Sequence, residues 1–280
     1  MDKDNSREKL PDYSVVMSVY AGEDPMFFRE SLESMMRQTL PCRELILVCD
    51  GALTEELDMV ISDISAKYPR KLRLVRARRQ MGVGACANAA LRRAGTDIIV
   101  KMDSDDIAMP DRCEKQVRYL HEHPAADMVG AYIEEFDSDS GDIIAERRTP
   151  VTDSEIRKYA RRRNPFNNQT LCYRRAAAVR AGGYTTVRRC EDYEFVVRML
   201  MNGSHGANIP ETLVRYRVTK NNLTRRRNVN NTISFIAVRW HIHREGFSSL
   251  LDFLIPCAAQ LLLFMMPAKL TGLFYKKLLR

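Results

Sequence analysis

From Tyr13 onward the chain alternates short β-branched or apolar runs with longer stretches whose apolar positions recur at helical spacing. The apolar runs predict strands over residues 14–19, 44–49, 72–76, 97–102 and 128–132. Between them the helical spacing predicts helices over 27–38, 54–67, 84–94 and 112–121, with Pro41, Pro69, Pro110 and Pro124 at or just beyond their edges. Strands and helices in strict alternation predict a parallel sheet joined by right-handed helical crossovers.

After about residue 141 the pattern becomes more polar and Arg-rich, with helices expected over 152–161, 175–181 and 191–202. This half reads as an extension that binds a second substrate. The end of the chain changes again. Residues 250–266 are apolar except for Asp252, Pro256 and Gln260, and Phe274, Tyr275, Lys269, Lys276, Lys277 and Arg280 follow without an acid. A membrane span needs about 20 apolar residues, and the internal proline and amide argue against one. An in-plane anchor on an anionic surface fits the pattern, as does a helical pair packed on the protein's own core. The expected division is a charged segment over 1–12, one α/β domain over 13–228 and a helical region over 229–280. Within the domain, 13–132 forms one half and 133–228 the other.

At 280 residues, 45% hydrophobic and 29% charged, the chain has the apolar content to bury a full core, which excludes disordered and collagen-like readings. A net charge of +8 favours phosphates, anionic lipid or nucleic acid as partners. Seven cysteines without a Cys-x-x-Cys pair point to a reduced compartment, and residues 1–9 are charged rather than signal-like. The expected location is therefore cytoplasmic. The Arg161–163 and Arg225–227 triplets lack aromatic interleaving, helix-turn-helix or zinc spacing, so no nucleic-acid partner is expected. The five histidines form no hydrolase pattern.

In a parallel sheet, ligands bind beyond the carboxyl ends of the strands, and acids collect at those places here. The second strand runs into Asp50-Gly51, and the fourth into Asp103-Ser104-Asp105-Asp106. Three carboxylates within four residues need a cation or donors to offset their repulsion. Hard oxygens without His or Cys nearby suit Mg²⁺ or Mn²⁺, with phosphate oxygens and water completing the shell. The plain alternative is an acidic turn before the next helix. Residues 82–87, Gly-Val-Gly-Ala-Cys-Ala, match a dinucleotide fingerprint, so an NAD(P)-dependent oxidoreductase stands as an alternative. That loop, however, does not directly follow the first strand. Its glycines would in any case let helix N–H groups approach a diphosphate, with Asn88 adding a polar contact. Glu191-Asp192 opens a helix, where acids are usually dipole partners; beside a metal-phosphate site they become candidate general bases. Gly182-Gly183-Tyr184 would leave room for an acceptor ring and supply an aromatic face.

Taken together, these residues resemble the family-2 inverting glycosyltransferases of the GT-A fold, particularly bacterial enzymes that assemble capsule and exopolysaccharide repeat units. The likeness covers about residues 13–227. It rests on ordered motifs: Ser18-Val19-Tyr20, residues 44–51, the Gly82 to Asn88 loop, residues 103–106, Asn164-Pro165-Phe166-Asn167, Gly182-Gly183-Tyr184, Glu191-Asp192 and Tyr216-Arg217. The resemblance implies a UDP-sugar donor contacted by Ser18, Val19, Tyr20, Asp50, Gly82, Asn88, Asp103 and Ser104. It implies a metal held by Asp103 and, more directly, Asp105. It assigns Asp192 as the base with Glu191 beside it, and gives the acceptor Asn167, Gly183 and Tyr184. The implied acceptor is a lipid-linked saccharide on the cytoplasmic leaflet. Two departures stand out. Val218-Thr219 replaces a common His, so phosphate oxygens and water would complete the metal shell. Ala87 replaces a common Arg, leaving Arg225–227 as candidate diphosphate contacts. A non-catalytic sugar-nucleotide binder is the remaining alternative.

Overall fold

The computed structural model describes residues 9–185, 187, 189–219 and 229–265. Arg225–227 and the basic tail beyond residue 265 lie outside the described residues, as do residues 1–8.

The first four long strands are β1 (Tyr13–Val19), β2 (Glu44–Cys49), β3 (Leu72–Arg76) and β4 (Ile98–Lys101). They pair in parallel, in the order β3, β2, β1, β4. Pleating sends alternate residues to opposite faces, so these strands serve two cores. Val15, Met17, Leu45, Leu47 and Val100 meet helices α1 (Pro25–Met36), α2 (Glu55–Lys67) and α4 (Arg112–Glu122). Val16, Ile46, Val48 and Ile99 face α3 (Val83–Leu91), α6 (Arg175–Arg180) and α7 (Glu191–Met201). Helix starts are set by caps: Asp24 accepts from Met26 and Phe27 N–H, and Thr54 from Leu57 N–H. Thr152 forms a full capping box with Glu155 ahead of α5 (Asp153–Ala160).

The sheet does not stay parallel. Short β8 (Cys172–Arg174) pairs antiparallel with β4 on one side and with β6 (Ala126–Asp137) on the other. Beyond β6 come β9 (His205–Val218), parallel to it, and β5 (Ile107–Ala108), while β7 (Ile143–Arg147) pairs with the outer part of β6. The strand expected over 128–132 therefore runs more than twice as far. The unexpected β9 carries Pro210 through a register shift: Ile209 pairs with Ala131, yet Thr212 pairs with Tyr132, and the intervening residues bulge out.

Two further helices, α8 (Val229–Arg244) and α9 (Leu250–Met265), pack against each other, and α8 rests on α7. No helix among the described residues is long and apolar enough to cross a membrane. The polar residues of α9 turn inward. Asp252 accepts from Arg162 Nε at 2.6 Å, and Gln260 donates to Thr232 of α8 at 3.3 Å. Leu250, Leu251, Leu254, Ile255, Leu261 and Leu262 are exposed, as is Trp240 of α8.

Candidate active site

A cavity of about 530 Å³ opens at the carboxyl ends of β1 and β2, bordered by Ser18 to Tyr20, Asp50, the loop from Gln80 into α3, Val187 and Glu191. Asp50 shapes its floor. Its Oδ1 accepts from Met81 N at 2.6 Å and its Oδ2 from Gly82 N at 3.1 Å, which folds the loop back over β2. Gly82 takes φ +87°, a left-handed conformation open to glycine, and launches α3 without a side-chain cap. The N–H groups of the first turn thus have no intrahelical acceptor and border the cavity, an arrangement suited to an anion.

α3 is locked to the opposite wall. Asn88 donates from Nδ2 to Tyr184 O at 2.7 Å and accepts Tyr184 N–H on Oδ1 at 2.8 Å. A Cβ on Gly84 would lie 2.4 Å from Thr185 O, so only glycine permits this approach. Asn88, expected at the donor, is instead committed to holding the Gly183–Thr185 segment. Gly183 contributes backbone: its carbonyl accepts from Arg198 Nη2 at 2.6 Å. Tyr184 is buried, its ring stacked on Phe195 at 4.0 Å, and so presents no free face to an acceptor. Asn167 likewise leaves the expected acceptor site for the core, where Nδ2 donates to Ala131 O and Arg147 O.

The acids after β4 form a braced turn. Asp103 pairs with Lys101, and its carbonyl accepts from Ser31 Oγ at 2.7 Å. Ser104, expected at the donor, is buried and donates to Glu23 Oε2 at 2.6 Å. Arg217 of β9 donates its backbone N–H to Asp106 Oδ1 at 2.9 Å and its Nε to Asp105 O at 2.8 Å, while its guanidinium stacks on Phe27 and Phe136. Asp106 is fully buried, and its Oδ2 has no hydrogen-bond partner among the described residues. Burial, then Asp103 and Glu23, push the Asp105 carboxyl up to about 7. Among the described residues no three His, Cys, Asp or Glu side chains converge on a metal position. Asp103 and Asp105 offer hard oxygens of the kind that could hold a divalent cation, with a substrate and water supplying its remaining ligands.

Across the cavity α7 begins at Cys190, which holds φ +64°, a conformation unusual for a residue bearing a Cβ. This turn delivers Glu191 to the cavity wall and Asp192 beside it. Burial and the neighbouring Asp192 push Glu191 up to about 7. Asp192 Oδ2 accepts from Asn164 Nδ2 at 2.9 Å.

The structure thus brings Asp50, the Gly82 loop and Glu191 to one cavity, which Ser18 and Val83 share with a smaller one bordered by Asp103. Asp105 and Asp192 line neither cavity: Asp192 follows Glu191 in the chain, and Asp105 lies two residues beyond Asp103. Lys101, Glu23 and the αL turn at Cys190 escaped the sequence reading. Only Lys101 left a signal, as a charge closing an apolar strand.

Residues 14–186 match the profile described as glycosyl transferase family 2. A protein of Haemophilus influenzae described as an uncharacterized glycosyltransferase is 35% identical over 272 residues, covering 96% of this chain and 99% of that one. A UDP-Gal:alpha-D-GlcNAc-diphosphoundecaprenol beta-1,3-galactosyltransferase of Escherichia coli is 31% identical, with 98% of each chain covered. Among solved structures, S. aureus TarS 1-349 in complex with UDP-GlcNAc superimposes with a TM-score of 0.69 at 15% identity, covering 92% of this chain and 77% of that one. The mannosyltransferase PcManGT from Pyrobaculum calidifontis, in complex with GDP-Man and Mn2+, gives 0.66 at 18% identity, covering 96% and 79%. The structural likeness establishes the GT-A architecture, and the sequence match decides the rest: this chain belongs to glycosyl transferase family 2, resembles the polysaccharide-building members of that family, and is a glycosyltransferase.

Proposed function

We propose that the chain is an inverting transferase that moves a hexose from a UDP-sugar to a lipid-linked saccharide at the cytoplasmic face of the membrane. One observation carries this reading: a single cavity joins an anion-accepting helix start, the carboxylate that folds its loop, and an acid-bearing helix start on the opposite wall. The support for UDP and for a lipid-linked acceptor comes from what the TarS complex and the Escherichia coli relative are described as binding and using.

In this reading the α3 N–H groups receive the diphosphate, and Ser18 to Tyr20 flank the nucleoside. Asp50, which borders the cavity, would accept a uracil N–H. Asp103 and Asp105 would hold Mn²⁺ or Mg²⁺, which when bound offsets charge on a departing diphosphate. Asp192, oriented by Asn164, takes the proton of the acceptor hydroxyl as its oxygen bonds to the anomeric carbon and the bond to the UDP oxygen breaks on the far side. A single in-line displacement inverts that carbon. Glu191 lines the cavity more directly than Asp192, so the two acids must be separated by substitution.

Peripheral attachment to a membrane is part of the proposal. The α9 helix buries Asp252, turns Gln260 toward α8 and exposes Leu250, Leu251, Leu254, Leu261 and Leu262, the reverse of a water-facing helix, with Trp240 alongside. Such a face would concentrate the enzyme on the surface that holds a lipid-linked acceptor.

A thermal-shift and hydrolysis screen of sugar nucleotides with and without Mn²⁺ tests the donor assignment. UDP-hexoses should raise the melting temperature in a Mn²⁺-dependent manner, and the Asp105→Ala variant should lose the effect. Stabilisation by NAD in place of UDP-sugars would reject the assignment.

A further inference from the structure

Lys101 is the charged residue of β4, Ile98-Ile99-Val100-Lys101, and it is buried. Alternation puts it on the face of Ile99, in the core beneath α3 and α7, away from Val100. Its backbone is fixed on both sides. The N–H donates to Leu171 O at 2.9 Å, and the carbonyl accepts from Arg112 Nη2 at 2.6 Å. Its side chain is 7% exposed, and its ammonium pairs with Asp103 Oδ1. Ser18 and Val83 border both the small cavity that Lys101 lines and the large one that would hold the donor.

A buried ammonium requires an anionic partner, and in the ligand-free protein Asp103 fills that place. Asp103 is also one of the two carboxylates assigned above to a divalent cation. The ammonium and the cation therefore compete for the same oxygens. A diphosphate in the adjoining cavity supplies a different anion on the other side of Ser18 and Val83. The geometry points to Lys101 as a positioning residue that withholds Asp103 from a divalent cation until a nucleotide diphosphate occupies the neighbouring cavity. The inference rests on the donor-site reading above. It makes cation and nucleotide binding mutually reinforcing, since by linkage each tightens the other by the same factor.

The test measures Mn²⁺ binding to the full chain from the electron paramagnetic resonance signal of free Mn²⁺, with and without UDP. The wild-type chain should bind Mn²⁺ weakly alone and roughly tenfold or more tightly with UDP present. Lys101→Met should tighten Mn²⁺ binding in the absence of UDP by roughly tenfold, because one buried positive charge leaves the site. It should also shrink the enhancement by UDP. Lys101→Arg, which keeps the charge, should retain the wild-type pattern. Unchanged or weakened Mn²⁺ binding by Lys101→Met in the absence of UDP overturns the inference. Lys101→Gln, measured in the same way, decides the matter if the methionine variant does not fold. A wild-type chain that takes up no Mn²⁺ even with UDP overturns the donor-site reading itself, and this inference with it.

Discussion

Asn164 donates from Nδ2 to Asp192 Oδ2 at 2.9 Å while its own Oδ1 accepts the Phe166 N–H at 3.1 Å. The second bond fixes which end of the amide faces the acid, so Asn164 holds Asp192 in one orientation. Asp192→Asn should lower kcat by about a hundredfold to ten-thousandfold while leaving UDP affinity intact. Asn164→Ala should lower kcat by up to about a hundredfold, again without weakening the donor. Steady-state kinetics combined with UDP calorimetry check both, and full activity of Asp192→Asn would move the base to Glu191.

Asp50 organises the loop that begins α3 through its bonds to Met81 and Gly82. Asp50→Ala should release that loop and weaken UDP binding about tenfold or more, since a lost hydrogen bond to a charged group is worth about 1.5 to 3 kcal/mol. Calorimetric titration with UDP reads the change directly.

Gly84 allows α3 to meet Thr185 at a distance no side chain tolerates. Gly84→Ala should lower stability by about 1 to 3 kcal/mol, because the clash is with backbone rather than a movable side chain. Chemical denaturation supplies the number, and the variant should also bind UDP less tightly as the two cavity walls separate.

Glu191 titrates near 7 in the folded chain, raised by burial and by Asp192. The folded state therefore binds this proton more tightly than the unfolded state does. The stability associated with it is present at low pH and is lost as pH rises from about 4.5 to about 7, by an amount on the order of 3 kcal/mol. Glu191→Gln lacks this slope. Its melting temperature relative to the wild type should climb across that window and level off above it, in ligand-free protein.

The exposed leucines of α9 predict a surface effect. Replacing Leu251 and Leu254 together by Asp should reduce binding to anionic vesicles by roughly tenfold or more, given about 1.5 to 3 kcal/mol for each leucine removed from water. Activity on a water-soluble acceptor should be unchanged. Flotation with phosphatidylglycerol vesicles distinguishes this from a helix pair that merely packs on the protein.

The first half of the fold was legible because strand ends and acids coincide in the chain: Cys49 runs into Asp50, and β4 runs almost directly into Asp103. Helices α2, α4, α5 and α7 fall within a residue or two of their expected bounds, since Thr54 and Thr152 are cap residues and their apolar spacing is regular. The second half was harder to read. Its long strand β9 contains Pro210 and charged residues, and only the bulge against β6 makes that sequence a strand. The protein contacts of Asn88, Asn167 and Tyr184 could not be read from the chain for a shared reason. Polar and aromatic groups look alike in sequence whether they face a ligand or bond to backbone groups and stack on neighbouring rings, as Asn88, Asn167 and Tyr184 do.

The placement of β8 has a consequence for how the protein is made. Residues 172–174 fill the gap between β4 and β6, which would otherwise leave two facing rows of unpaired amides and carbonyls in the middle of the sheet. During synthesis the first 137 residues cannot close their own architecture; they must wait for the segment that reaches Arg174 to leave the ribosome. A fragment cut between β6 and β8 would leave the ribosome with an open seam.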